Sequence, residues 1–268
     1  MISKVFGQNS HMSRNSPRAP EILRLVRGEG SMTVAQLARA LAVSQETIRR
    51  DVRPLALTGE VVKLHGSIAL PHAVGEAPFE RRLRDNAEAK RAIARHAADY
   101  IEDGDSLMID TGTTTSIFAR ELLRKRNLTV VTNSSDIART LATVNGNKVY
   151  MAGGELNGDN GAAFGTSAVQ FASTFNVRHA FISIGAIDAL AGLTDSDLDE
   201  AEFARMLLSR AERRYTLADS SKFGLKALIL VCEFSGIDVL VTERAPPPDI
   251  AAALEIANAR CDVARNHA

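Results

Sequence analysis

Six consecutive residues, Asp110-Thr111-Gly112-Thr113-Thr114-Thr115, combine a carboxylate, a glycine and four hydroxyls at the junction of a strand pattern and a helix pattern. A glycine there lets the backbone approach a ligand closely, the first N–H groups and the dipole of the helix favour an anion, and threonine hydroxyls can donate to phosphate oxygens. Threonines also cap helices with no ligand present, so the turn gains meaning from its position. Further along, Asp219-Ser220-Ser221-Lys222 follows another strand and offers a cation, which suits a phosphate monoester carrying about −1.5 to −2 charges. Thr132-Asn133-Ser134, Gly153-Gly154-Glu155 and Gly185 follow three further strand patterns. They could line the same cleft or serve only as turns.

A second chemistry is written nearer the start. Ser44 can cap a helix beginning Gln45-Glu46-Thr47-Ile48-Arg49-Arg50-Asp51-Val52-Arg53. Ile48, Val52 and Leu55 share one face at i, i+4 and i+7, which leaves Glu46, Arg50 and Arg53 opposite them, flanked by Thr47 and Arg49. Such a helix can pack by its apolar stripe and enter a major groove by the other face, where Arg forks onto guanine or phosphate and Gln pairs with adenine. A solvated Arg-rich helix has the same composition, so its neighbours decide.

Those neighbours have the spacing of a helix-turn-helix. Pro20 precedes a helix with Ile22, Leu23 and Val26 on one face, stopped by Gly28 and Gly30. Thr33 to Gln36 forms a capping-box pattern that opens a short second helix, with Leu37 and Leu41 inward and Thr33 a candidate DNA contact. Residues 60–70 then give two short β-prone stretches around a glycine turn, a wing bearing Lys63 and His65. Pro54 inside the third helix predicts a kink or an early end, because it lacks the N–H that would bond the Arg50 carbonyl.

After residue 71 the pattern alternates strand and helix, which calls for a mostly parallel sheet with helices on both faces. Ligands of such sheets lie beyond the carboxyl ends of the strands. The organisation predicted is a disordered tail over 1–16, a winged helix-turn-helix over 17–71, a linker over 72–86 and an α/β domain over 87–268.

Composition bounds the function. Residues 1–70 hold ten Lys and Arg against five Asp and Glu, while residues 71–268 hold twenty-two against twenty-seven, a basic head of +5 on an acidic body of −5. That suits a polyanion-binding head. No leader and no membrane-length apolar run is apparent, so a cytoplasmic protein without a membrane partner is expected. Cys232, Cys261 and six scattered histidines show no metal spacing, and neither a metal nor a cofactor is expected. The acidic run Asp195, Asp197, Asp199, Glu200 and Glu202 reads first as the acidic start of a helix, although it could bind hydroxyls or a cation.

The stretch VAQLARALAVSQETIRRDVRPLALTGEVVKLHG resembles the DeoR family of transcriptional regulators, in which Ser-x-x-Thr-Ile-Arg-Arg-Asp opens the recognition helix. Here those residues are Ser44, Thr47, Ile48, Arg49, Arg50 and Asp51. Where that family has Gly-Gly-Ala after the wing histidine, this chain has Gly66-Ser67-Ile68. The resemblance spans about residues 20–248. It implies double-stranded operator DNA as partner, a homo-oligomer of at least two copies, and a sensor domain resembling ribose-5-phosphate isomerase. In that domain Gly112 to Thr115, Asp219, Ser221 and Lys222 would serve the phosphate of a sugar or polyol. AGGELNGDNGAAFGTSAVQFASTF and TERAPPP resemble the glycerol-3-phosphate-responsive members, making glycerol 3-phosphate the first effector to consider.

An isomerase with an added DNA-binding head is the alternative. The isomerases supply base and electrophile from Asp-Gly-Ala-Asp and Lys-Gly-Gly-Gly segments. Here Thr194-Asp195-Ser196-Asp197 replaces the second, and Asp188 stands without its partner. A regulator without catalytic residues is therefore expected.

Overall fold

The computed structural model describes residues 16–29, 31–58, 60–64, 67–69 and 77–264. It divides into two compact units, residues 1–76 and 77–268. The tail reading apart from Ser16, the linker residues 72–76 and His65 lie outside the described residues.

In the first unit, α1 (Ala19–Glu29), β1 (Ser31–Thr33), α2 (Val34–Ala40), α3 (Gln45–Thr58), β2 (Val62–Leu64) and β3 (Ser67–Ala69) surround a small core. Ile22, Val26, Leu37, Ile48, Val52 and Leu55 are all fully buried in it. The wing strands β2 and β3 pair antiparallel as expected. The sequence does not announce β1, which pairs with the far side of β3 and makes a three-stranded sheet.

One expectation is corrected: α3 does not stop early at Pro54 but continues to Thr58. The missing hydrogen bond costs about 3 kcal/mol when nothing offsets it. Burying Leu55 one residue later contributes about 1.5–3 kcal/mol, so packing holds the final turn in helical form.

The second unit opens with α4 (Phe79–Arg84), inside the stretch read as linker. Phe79 is buried, and its N–H donates to both carboxylate oxygens of Asp159, at 3.0 and 3.1 Å. Six residues are too few to show a helical period, so this anchor was not legible.

The body continues with α5 (Ala87–Ala98), β4 (Ser106–Ile109), α6 (Thr113–Glu121), β5 (Thr129–Thr132), α7 (Ser135–Leu141), β6 (Lys148–Met151), α8 (Gly165–Ala172) and β7 (Val177–Ser183). There follow β8 (Ala186–Asp188), β9 (Gly192–Asp195), α9 (Leu198–Ser209), β10 (Ala211–Leu217), β11 (Ile229–Cys232), β12 (Val239–Thr242), α10 (Pro248–Ile256) and β13 (Arg260–Val263). Seven of these strands form one sheet in the order β13-β12-β10-β7-β4-β5-β6, with every neighbouring pair parallel.

Alternation along the strands feeds two cores. Leu107, Ile109, Val130 and Phe181 face α5, α6 and α7, whereas Met108, Val131, Ala180 and Ile182 face α8, α9 and α10. The Phe118, Phe181, Tyr215 and Tyr100 rings run in sequence through the first core, with centroids 4.3, 4.5 and 5.0 Å apart. A separate antiparallel sheet, β11-β9-β8, adds three strands of three or four residues that sequence period could not resolve.

Candidate nucleic-acid interface and candidate anion cleft

The exposed face of α3 is built by its buried face. With Ile48, Val52 and Leu55 pinned at zero exposure, Ser44, Glu46, Thr47, Arg49, Arg50 and Arg53 line one open concavity. Ser44 caps the helix, its Oγ accepting from the Thr47 N–H at 3.1 Å. Asp51 is inward and buried, and pairs at 3.3 Å with Arg18, the residue just before α1, so it ties α3 to the start of α1. Arg50 keeps 76 % of its side chain exposed. Arg49 pairs loosely with Glu46 at 3.3 Å, both exposed, an interaction weak enough to exchange for a phosphate or a base. Gln45 is exposed at the start of the same helix, and Lys63 is exposed on β2. Thr33 is exposed and caps α2: its Oγ1 accepts from the Gln36 N–H at 3.1 Å, and Gln36 Oε1 accepts from the Thr33 N–H at 2.7 Å.

The second candidate lies at the carboxyl edge of the large sheet. Asp110 and Thr111 beyond β4, Asn133 beyond β5 and Ser183 ending β7 line a cleft with Phe164, Asp195, Glu200, Phe203 and Ala204. Asp110 is buried, and its carboxylate accepts from the Ser183 N–H at 2.8 Å. Burial pushes the Asp110 carboxyl well above the ordinary aspartate value; Ser183 and Thr115 pull it down, and Glu200 pushes it further up.

A carboxyl raised on folding stabilises the fold below its unfolded pKa and loses that contribution as pH climbs toward the folded value. Asp110→Asn is therefore expected to gain stability relative to the native protein as pH rises from about 4, by thermal melts across pH. A native protein that gains on the variant with pH would show that Asp110 is held ionised.

Gly112 precedes α6 with extended backbone, so space rather than dihedral strain requires glycine there. A Cβ at Gly112 would sit 1.9 Å from Ser183 Oγ and 2.8 Å from Ser183 Cβ. Gly112→Ala is expected to destabilise by about 1–3 kcal/mol, measured by urea unfolding; a neutral result would mean the β4–α6 turn shifts freely.

Thr113, Thr114 and Thr115 form the buried first turn of α6. Thr115 Oγ1 is used to donate to the Gly112 carbonyl at 3.1 Å. Thr132 is likewise occupied, accepting from the Ser134 N–H at 3.1 Å.

Asp219, Ser221 and Lys222 form a short 3-10 turn after β10, with β7 between β10 and β4. Asn86, at the start of α5, donates to Asp219 at 2.9 Å and to Ser221 Oγ at 3.1 Å. Sequence reasoning missed Lys90. It is buried on α5, donates to the Arg82 carbonyl and lies in the field of Asp219 and Lys222, with burial pushing its pKa down. A lysine falling on the inward face of an amphipathic helix was the available signal. Gly153 and Gly154 start the loop after β6, where a Cβ on Gly154 would stand 3.4 Å from the Phe164 carbonyl. Gly185 leaves the Asp195 carboxylate 3.4 Å from where a Cβ would stand.

Among the described residues no group of three or more His, Cys, Asp or Glu is placed to hold a metal ion, and no helix is long and apolar enough to cross a membrane.

Residues 18–74 match the DeoR-like helix-turn-helix domain and residues 85–244 match the DeoR C-terminal sensor domain. The chain is 32 % identical over 240 residues to the HTH-type transcriptional repressor CsqR of Escherichia coli K12, covering 90 % of this chain and 92 % of that one. It is 33 % identical over 235 residues to the glycerol-3-phosphate regulon repressor of the same organism, covering 88 % and 93 %. Ribose 5-phosphate isomerase A from Methanocaldococcus jannaschii is similar over 52 % of this chain and 55 % of its own, with 16 % identity and a TM-score of 0.38. Matched by both domain models across both units, with an outward-facing arginine helix in the first and a polar cleft at the sheet edge of the second, the chain belongs to the DeoR family of transcriptional regulators.

Proposed function

We propose that this protein represses genes of sugar or polyol catabolism by binding double-stranded operator DNA, under control of a phosphorylated sugar or polyol. The observation that carries this reading is the division of α3 into a fully buried Ile48/Val52/Leu55 stripe and an exposed Arg49/Arg50/Arg53 face. Gln45, Glu46 and Thr47 share the base-reading surface, with Ser44 at its start, and Lys63 and His65 of the wing supply backbone contacts. A two-fold operator requires at least a dimer.

The effector phosphate sits at the Gly112 turn. The α6 N–H groups, that of Thr115 among them, and the Thr113 and Thr114 hydroxyls receive it, while Asp219, Ser221 and Lys222 close from the β10 side and Lys90 adds a second cation. Asp110, Thr111, Asn133 and Gly185 take the rest of the molecule, with Thr132, Gly153 and Gly154 shaping the loops around it. The similarity to the glycerol-3-phosphate regulon repressor makes glycerol 3-phosphate the first compound to test. In this reading the site acts by binding: Thr194 to Asp197, which the family resemblance sets against the Lys-Gly-Gly-Gly of the isomerases, contain no lysine.

Gel shifts at fixed salt, with and without glycerol 3-phosphate, ribose 5-phosphate and fructose 6-phosphate, test the proposal together with thermal shifts of the free protein. Sequence-specific DNA binding altered by one phosphate ester and not by its unphosphorylated parent is expected. Turnover of a sugar phosphate without DNA binding would overturn it.

A further inference from the structure

Three carboxylates, Asp110, Asp195 and Glu200, line the cleft beyond β4, β5 and β7. Among the described residues two buried oxygens there, Thr111 Oγ1 and Asn133 Oδ1, have no hydrogen-bond partner. Thr111 is 5 % exposed and Asn133 is fully buried. An unmatched buried polar atom is costly and marks a place where a partner belongs; the Asn133 amide oxygen takes a donor, and the Thr111 hydroxyl can accept or donate. The hydroxyl groups of a sugar or polyol are donors of the kind such oxygens accept. Yet the cleft has a volume of about 10 Å³, room for barely one water. A hydroxylated carbon chain enters only by moving a wall.

One wall is the loop 153–164, which contributes Phe164. Asn133 holds it from the cleft floor, donating from Nδ2 to the Ala163 carbonyl at 3.0 Å while its backbone carbonyl accepts from the Ala163 N–H at 2.9 Å. Glu200 holds it from α9, its Oε1 accepting from Asn160 Nδ2 at 2.9 Å. Asn160 is buried, and its Oδ1 accepts from the Ala162 N–H at 3.0 Å. The adjacent Asp159 carries the carboxylate that takes the Phe79 N–H at the start of α4. Phe79 is the third described residue after the segment joining the two units.

We propose that Glu200 is the specificity-determining residue for the hydroxyl chain of the effector, and that the Glu200–Asn160–Asp159–Phe79 chain reports occupancy of the cleft to the start of α4. The inference rests on the phosphorylated sugar or polyol reading above. A ligand hydroxyl that donates to Glu200 competes with Asn160, and entry of the carbon chain displaces Phe164. Both events act on the loop whose Asp159 fixes Phe79. A ligand shifts an equilibrium only through contacts that differ between two states, and this loop is an element on which such contacts act.

The test uses the full chain with glycerol 3-phosphate, ribose 5-phosphate, fructose 6-phosphate and inorganic phosphate, read by calorimetry, operator gel shift and hydrogen exchange at the Phe79 amide. In the native protein the bound ester should change Phe79 exchange. Glu200→Gln keeps an acceptor for Asn160 but loses the charge, and should weaken the ester at least 10-fold while inorganic phosphate changes less than 2-fold. Asp159→Ala should bind the ester within 2-fold of native and bind operator as apo-protein, yet lose the effector's influence on operator affinity. Asp159→Asn, which retains one acceptor, should restore part of it and guards against a folding defect in the alanine variant. Equal weakening of ester and inorganic phosphate by Glu200→Gln, or full effector response in Asp159→Ala, overturns the inference and leaves the effector reading intact. Failure of the native protein to bind any of the three esters overturns both.

Discussion

Arg50→Ala and Arg49→Ala are expected to abolish specific operator binding while leaving the fold of the first unit unchanged. Neither side chain contributes to the Ile48/Val52/Leu55 core, and Arg50 is 76 % exposed. A lost base contact costs about 1–3 kcal/mol per half-site. On a two-fold operator that is about 2–6 kcal/mol, on the order of 30-fold to 10⁴-fold in affinity. Arg49 must first leave Glu46, an exposed pair whose loss costs well under a base contact. Lys63→Ala on the wing distinguishes positioning from reading: it should weaken all sequences alike and flatten the salt dependence of log K by about one unit per bound subunit. Gel-shift titration at fixed salt measures the arginine effect, and salt titration measures the lysine effect. Undiminished specific binding by both arginine variants would remove α3 as the reading helix.

The second large effect concerns the effector. Thr113→Asp places a fixed negative charge in the first turn of α6, where the helix dipole accepts it without a ligand; Lys222→Ala removes charge from the turn after β10. Both variants are expected to bind operator as apo-protein and to lose the response to phosphate esters. The coupling at stake is about 1–3 kcal/mol, a 5- to 150-fold change in operator affinity. Calorimetry with glycerol 3-phosphate against glycerol tests the same site from the ligand side, with the unphosphorylated compound expected to be a poor ligand. Equal affinity for both, or an unaltered response in both variants, would return the Gly112 turn to a plain helix cap.

The lesson of Pro54 is that local rules yield to packing. Read along the chain, proline marks a break, because the missing bond to Arg50 is a local fact. In the folded unit Leu55 is fully buried one residue later, and a side chain that can reach the core only from a helical backbone keeps that backbone helical. Phe79 makes the same point from the other side. Its surroundings in sequence are a linker by every local signal, and its anchor is Asp159, 80 residues away.

The sequence by itself determined what repeats at short range: the apolar stripe of α3 and the arginines opposite it, the caps at Thr33 and Ser44, the strand-helix alternation, and the Asp110 to Thr115 turn at a strand end. Each is set by the periods of helix and strand or by the hydrogen-bonding habits of neighbouring residues. The tertiary structure alone decided which of those polar residues share a cleft. It brought Glu200 and Asn160, 40 residues apart, to 2.9 Å, left Asn133 Oδ1 and Thr111 Oγ1 buried without a partner among the described residues, and gave Thr132 and Thr115 hydrogen bonds to the backbone. The physical reason is that a parallel sheet collects the ends of strands distant in sequence at one edge. Burial and pairing there depend on contacts between segments, for which no single segment carries a signal.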